Sequence, residues 1–138
     1  MIKFFTEDIL FNLPNRKEIK KWIKDVITCE NKKIGEISFI FCSNDYLLTI
    51  NNQYLCHNYF TDVITFNYCE GIKLSGDIFI SVDCVRENSI KYRQVFEKEL
   101  CRVMVHGILH LCLYGDSTKP EIVVMRTKEN HYLNKITI

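Results

Sequence analysis

The sequence predicts an α+β domain with a small mixed β-sheet of three to four strands flanked by helices, and a candidate metal site at the end of a long central helix. Two observations lead to this fold class. Apolar residues recur at helical spacing in some segments and alternate or cluster with β-branched residues in others. These segments follow one another in the order α-β-α-β-β-α-α-α, without an internal repeat or a long linker.

The first half of the chain predicts two helices around one strand. A helix from about Asn15 to Thr28 begins with an Asn15–Glu18 capping box. Its apolar face is formed by Ile19, Trp22, Ile23, Val26 and Ile27. Residues 36–42 are aromatic and β-branched, which predicts a strand. Ser43 is the candidate cap of a short helix that ends near Tyr54.

The second half predicts a hairpin followed by three helices. Residues 63–67 and 77–81 form two strands, joined by a polar stretch that contains two glycines. Ser81 caps a helix that ends near Tyr92, and residues 96–111 carry the longest helical pattern. Thr118, with proline two residues later and glutamate three residues later, starts a last helix that ends near Leu133.

Composition indicates one globular domain over residues 1–138. Hydrophobic residues make up 47% and charged residues 25% of the 138 residues, and no apolar run approaches the roughly 18 residues of a membrane helix. Residues 1–13 lack the basic start of a signal peptide, so we expect a cytoplasmic location. The seven scattered cysteines contain no C-x-x-C pair, so we expect free thiols, mostly acting as small core residues.

The net charge of +1 gives no global field that attracts nucleic acid. Basic residues nevertheless crowd the first helix: Arg16, Lys17, Lys20, Lys21 and Lys24. A solvated helix face explains them from composition alone. The alternative is a phosphate-binding stripe formed by Lys17, Lys20, Lys21 and Lys24.

Two histidines carry the strongest signal for chemistry. His106 and His110 are four residues apart in the long helix, so both side chains lie on one side and can hold one metal ion. Asp116, just past a glycine that permits a turn, is the candidate third ligand, and His131 and His57 compete with it. Gly107 leaves space between the histidines but stands where metalloproteases carry their glutamate base, which disfavours proteolysis.

Three motifs in order, T-D-V-I-T-F from Thr61, G-D-I-F-I-S from Gly76 and H-G-I-L-H-L from His106, resemble the YbeY family of bacterial endoribonucleases. The resemblance implies a single zinc ion held by three side chains at the end of the helix. It also implies maturation of ribosomal RNA, notably at the 3′ end of the small-subunit RNA, and ribosome quality control. The expected partners are precursor ribosomal RNA and the ribosome or its small-subunit proteins, with no DNA and no membrane.

The chain departs from the family pattern at two places. The usual ending G-Y-D-H reads Leu113-Tyr114-Gly115-Asp116, so Asp116 falls at the position of the third ligand. The family commonly has an arginine shortly before T-D-V, in the pair Y-R. Here this pair is Tyr54-Leu55, so leucine stands in place of the arginine. His57 is a candidate to substitute for the arginine or to act as the base.

We therefore expect zinc-assisted hydrolysis of RNA phosphodiesters by His106, His110 and Asp116. Two alternatives remain open at this stage. One is a ribosome-assembly factor with a structural zinc that binds RNA without cutting it. The other is a metal hydrolase that acts on another substrate.

Overall fold

The computed structural model describes residues 1–56 and 61–137, which form four strands and five helices. The strands are β1 (Ile2–Thr6), β2 (Lys33–Cys42), β3 (Val63–Asn67) and β4 (Lys73–Ser81). The helices are α1 (Arg16–Cys29), α2 (Asn44–Leu55), α3 (Val82–Lys91), α4 (Phe96–Leu111) and α5 (Lys119–Leu133).

The strands form one mixed sheet in the order β1-β2-β4-β3. The pairs β1–β2 and β2–β4 are parallel, whereas β3 pairs with β4 as an antiparallel hairpin. The predicted small mixed sheet of the α+β class is therefore confirmed. Strand β3 lies at one edge of the sheet, so none of the described strands pairs with its outer side.

Helices cover both faces of the sheet. The main core joins alternate residues of β2 and β4, such as Phe39 and Ile78, to the apolar faces of α1 and α4. On the opposite face a smaller cluster of Cys42, Leu47 and Ile64 lies beneath α2. Helix α4 is central to the larger core, with ten buried residues.

Three local predictions need correction. Strand β1 was not predicted, because at this edge of the sheet only Ile2 of its five residues is buried and no alternation is visible. Strands β2 and β4 begin three and four residues earlier than predicted, at Lys33 and Lys73. Asn15 precedes α1 in the left-handed conformation, with φ of 53°, and its side chain makes no capping hydrogen bond.

The other caps are confirmed. The hydroxyl of Ser43 accepts a hydrogen bond from the Tyr46 amide, and that of Ser81 from the Cys84 amide. Thr118 and Glu121 form the predicted capping box at the start of α5. The apolar face predicted for α1 is the set of residues that this helix buries.

All seven cysteines are free, but only Cys42 and Cys101 are fully buried, and Cys29 and Cys56 are exposed, so the expectation that most are core residues is only partly right. Within the described residues, no helix has the length and apolar character needed to cross a membrane.

Candidate metal centre

The two histidines of α4 meet as their spacing predicts. Their Nε2 atoms are 2.9 Å apart, on the side of α4 that faces β3 and α5. Both side chains are about one-fifth to one-quarter exposed, so the ring edges reach the surface while the rest of each ring is packed. One end of the α4 histidine pair is therefore open to a substrate.

Asp116 completes a group of three candidate ligands. Its Oδ2 atom lies 3.3 Å from the Nε2 atom of His106 and 3.3 Å from that of His110. Nitrogen and oxygen ligands of a tetrahedral zinc ion lie about 3.3–3.4 Å from one another, given bond lengths near 2.1 Å. The three atoms thus have nearly the spacing of one face of a zinc tetrahedron, with the histidine pair slightly closer than ideal.

The competing third ligands do not join this group. Among the described residues, one set of three His, Cys, Asp or Glu side chains is close enough to hold a metal ion: His106, His110 and Asp116. His131 is exposed on α5, where its ring contacts that of Tyr132. The thiol of Cys112, two residues beyond His110, also lies outside this group: it packs against the core, and burial raises its pKa to about 11. His57 lies outside the described residues.

Hydrogen bonds on the far side of each imidazole fix its tautomer. Nδ1 of His106 donates to Oε2 of Glu129 at 2.6 Å, and Nδ1 of His110 donates to the carbonyl oxygen of Tyr114 at 2.9 Å. Both partners are acceptors, so each Nδ1 carries a proton, which leaves the two Nε2 atoms as the atoms that would bind a metal. Such outer contacts orient metal-binding histidines in general.

The donor set therefore fits a cation. Two imidazole nitrogens and one carboxylate oxygen converge within 3.3 Å, an arrangement that calls for a positive charge between them, either a metal ion or a proton. Nitrogen and carboxylate ligands in this number, with one side open, match a catalytic zinc site that keeps a position for water or substrate.

Glu129 is the main charged partner of His106. Burial alone would lower the pKa of His106, but the hydrogen bond and charge of Glu129, with Asp62 and Asp116, raise it overall. Burial alone would also raise the pKa of Glu129, but the bonds from His106 and Arg102 lower it. The 2.9 Å bond from Nη1 of Arg102 keeps this buried carboxylate charged beside the histidine.

Sequence reasoning missed Glu129, although the chain carries a signal. Glu129 lies four residues from both Met125 and Leu133, so it falls on the buried stripe of α5. A glutamate within such a stripe needs a buried partner. Arg102, four residues before His106 on α4, was the available partner.

The two glycines near the site have other roles than those predicted. A Cβ atom at Gly107 would lie 2.8 Å from Cγ2 of Ile78, so this glycine lets α4 pack closely on β4 rather than leaving space for a metal. The turn after α4 is made by Leu113, with φ of 73°, and not by Gly115. The Leu113 amide donates a hydrogen bond to the carbonyl of His110, and the Tyr114 amide donates one to the carbonyl of Leu109. This pair of hydrogen bonds is a Schellman motif.

A groove runs from the candidate ligands along β3. It is lined by Asn51 and Leu55 of α2, by residues 61–65 and by the three candidate ligands. Leu55, at the position of the family's arginine, thus faces the groove with an apolar side chain. Asp62 lines this groove together with His106, and burial raises the pKa of its carboxyl despite the opposing effect of His106.

The four lysines of α1 lie elsewhere. Lys17, Lys21 and Lys24 are exposed, and Nζ of Lys20 lies 5.7 Å from the ring centre of Phe4 on β1, the strand at the opposite edge from β3. Within the described residues, neither of the two clefts that include His106 is lined by any of these lysines. Contact with RNA by this face stays a prediction.

Comparison with known proteins agrees with the motifs. A family model described as Endoribonuclease YbeY matches residues 4–137. The chain is 47% identical over 138 residues to the Endoribonuclease YbeY of Phocaeicola vulgatus, which covers 100% of both chains. It is 46% identical over 132 residues to that of Bacteroides fragilis, covering 96% of this chain and 95% of the relative.

A solved structure shows the same architecture. The solution structure of TM1509 from Thermotoga maritima matches with a TM-score of 0.69 and 27% sequence identity. The match covers 98% of this chain and 88% of that chain.

Proposed function

Because the chain belongs to the YbeY family of endoribonucleases, hydrolases of RNA phosphodiester bonds, we propose that it is a zinc-dependent endoribonuclease of the cytoplasm that matures ribosomal RNA. The proposed substrate is single-stranded precursor RNA, cut near the 3′ end of the small-subunit RNA. The proposed partners are the ribosome or its small-subunit proteins, in maturation and in quality control.

The observation that carries this proposal is the convergence of three acceptor atoms on one point beside an open groove. His106, His110 and Asp116 would hold the zinc ion, as their spacing and fixed tautomers favour. When bound, zinc supplies Lewis acidity, which activates water and polarises a phosphoryl oxygen. The overall reaction adds water across one P–O ester bond, with hydroxide joining phosphorus and a proton joining the leaving oxygen.

The chain's own residues orient the two histidine rings and position the RNA strand. Glu129 and the Tyr114 carbonyl hold a proton at Nδ1 of each histidine, so both Nε2 atoms stay available as ligands. The groove along β3 accepts an extended strand of RNA across the ligands. Gly107 leaves α4 without a base, and His57 stays our candidate for that role.

The experiment that tests this function removes the paired ligands. The double variant His106→Ala/His110→Ala should lose bound zinc, measured by elemental analysis, and cleavage of precursor ribosomal RNA in a single-turnover assay. His131→Ala is the matched control, because this histidine is exposed on α5 outside the metal-binding group. Unchanged zinc content and unchanged cleavage in the double variant would refute the proposal.

A second candidate function rests on the groove itself. Leu55 lines it where the family commonly has arginine, and Asp116 lowers the charge of the centre relative to a histidine ligand. Both features favour a ribosome-assembly factor that binds RNA around a structural zinc. Binding of precursor RNA that survives a chelator, without cleavage before or after zinc is restored, would favour this function over the enzyme.

A further inference from the structure

Two buried glutamates of the α4–α5 region differ in their hydrogen bonding. Glu129 is 4% exposed and both of its carboxylate oxygens accept hydrogen bonds, from Arg102 and His106. Glu99, on the first turn of α4, is 6% exposed, and its carboxylate accepts no hydrogen bond from any residue that the structure describes. Among the described residues no buried side-chain oxygen lacks a partner, so the Glu99 oxygens reach the solvent of the adjoining cleft, where they can accept hydrogen bonds from a ligand.

Glu99 faces a cleft rather than solid core. The cleft has a volume of about 570 Å³ and lies between the end of α3, α4 and α5. The cleft is lined by Asn88, Tyr92, Gln94 and Arg126. It is also lined by His106, one of the candidate metal ligands. This volume is within the usual range for small-molecule sites, and the walls are mainly polar with one exposed aromatic ring.

The charges around Glu99 exclude two classes of ligand. A metal ion would need further ligands, but among the described residues Glu99 belongs to no group of three that could hold one. A phosphate would face the carboxylates of Glu99, Asp62 and Glu129. The two guanidinium groups of the cleft, on Arg102 and Arg126, are already paired with Glu129. A carboxylate that faces an open cleft is suited to a group that presents N–H donors, and a nucleobase is such a group.

The position of Glu99 relative to the metal centre selects among such groups. Glu99 precedes His106 by seven residues on the same helix face, which places it about 10 Å away along the axis. A single nucleotide extends over a similar distance from its phosphate to the far edge of its base. A base entering the cleft from a strand on the metal centre would therefore reach Glu99, and the exposed ring of Tyr92 offers a stacking surface.

We propose that this cleft binds a nucleobase next to the scissile phosphate and that Glu99 selects guanine, an inference that rests on the proposed cleavage of RNA at the metal centre. Guanine presents two adjacent donors, N1–H and the 2-amino group, which match the two oxygens of a carboxylate. Adenine and cytosine present one amino donor beside an acceptor nitrogen, and uracil one N–H between two acceptors. Each of these bases would bring an acceptor against the carboxylate.

The first test measures cleavage of uridine oligomers that carry one guanosine, inosine or adenosine at the same place. Wild-type kcat/KM beside guanosine should exceed that beside inosine or adenosine by about tenfold or more. Glu99→Gln should reduce this preference to within about twofold, whereas zinc content stays unchanged. Glu97→Gln, the same change two residues away on α4 and outside the cleft lining, should keep the preference.

The second test separates this inference from the proposed function. GMP, IMP and AMP are titrated into the wild-type chain and into Glu99→Gln and Glu99→Asp, with binding followed by calorimetry and folding by thermal unfolding. Tighter binding of GMP, lost in both folded variants, supports the pocket even if no RNA is cut, and the proposed function alone then fails. Equal binding of the three nucleotides together with cleavage that ignores guanosine overturns the pocket while leaving the endoribonuclease intact.

Discussion

Replacement of Glu129 by glutamine tests whether this buried carboxylate orients the metal centre. The side chain keeps its shape but loses its charge and one acceptor oxygen, so its amide group must face either Nδ1–H of His106 or Arg102. If the amide oxygen accepts from one of these two donors, the amide N–H of the glutamine faces the other donor, and no hydrogen bond forms there. We expect the His106 ring to lose its fixed tautomer or the Arg102 contact to open.

The expected magnitude follows from the 2.6 Å bond between Nδ1 of His106 and Oε2 of Glu129. Loss of such an outer carboxylate typically weakens metal binding about 10- to 100-fold, or about 1.4–2.7 kcal/mol. The metal-free chain should also lose about 1–3 kcal/mol of unfolding free energy, because a buried group of Arg102 or His106 is left unpaired.

Competition with a chromogenic chelator measures zinc affinity, and urea unfolding of the metal-free chain measures the second effect. Glu87→Gln is the control, since Glu87 is exposed on α3, away from the centre. A zinc affinity of Glu129→Gln within about twofold of the wild type would refute the orienting role.

Three further variants test the scaffold, each by chemical unfolding. Leu113→Gly should stabilise the chain by about 1 kcal/mol, because Leu113 is exposed and has a φ of 73°; a loss would refute strain at this turn. Gly107→Ala should destabilise by about 1 kcal/mol despite the higher helix propensity of alanine, since its Cβ would meet Ile78 at 2.8 Å; a gain would contradict the close packing. Burial alone would raise the pKa of Glu30, but hydrogen bonds from Tyr132, Tyr114 and Lys128 lower it below 4.5, so Glu30 stabilises the chain above that pH. The stability difference between wild type and Glu30→Gln should therefore be largest near neutral pH and vanish as the pH falls below about 4.5; a difference that grows in acid would reverse this sign.

The sequence predicted those parts of the fold that depend on local patterns. Helix α4 was placed at its observed bounds because sixteen consecutive residues keep one apolar face, and the caps at Ser43, Ser81 and Thr118 depend on neighbouring residues alone. Strand β1 was missed because its conformation is imposed by pairing with β2, a contact between distant segments.

The candidate site shows the same difference between local patterns and contacts between distant segments. The spacing of His106 and His110 is local to one helix, and their meeting followed from it. Glu129 reaches His106 from another helix, 23 residues later, and the sequence alone does not say how α4 and α5 cross. The left-handed turn at Leu113 was assigned to Gly115 because glycine is the usual residue in that conformation.

The charge of the groove links the two departures from the family pattern. A zinc ion held by three neutral histidines would keep its full charge of +2, whereas Asp116 as a ligand would leave +1. Asp62 adds a carboxylate nearby, and Leu55 adds no positive charge where the family commonly has arginine. A lower positive charge in this groove would weaken its long-range attraction for the RNA backbone. Under the proposed function, binding energy would then come from two other sources at a distance from the candidate ligands: the lysines of α1, whose contribution would fall with salt, and a base held at Glu99, whose contribution would not.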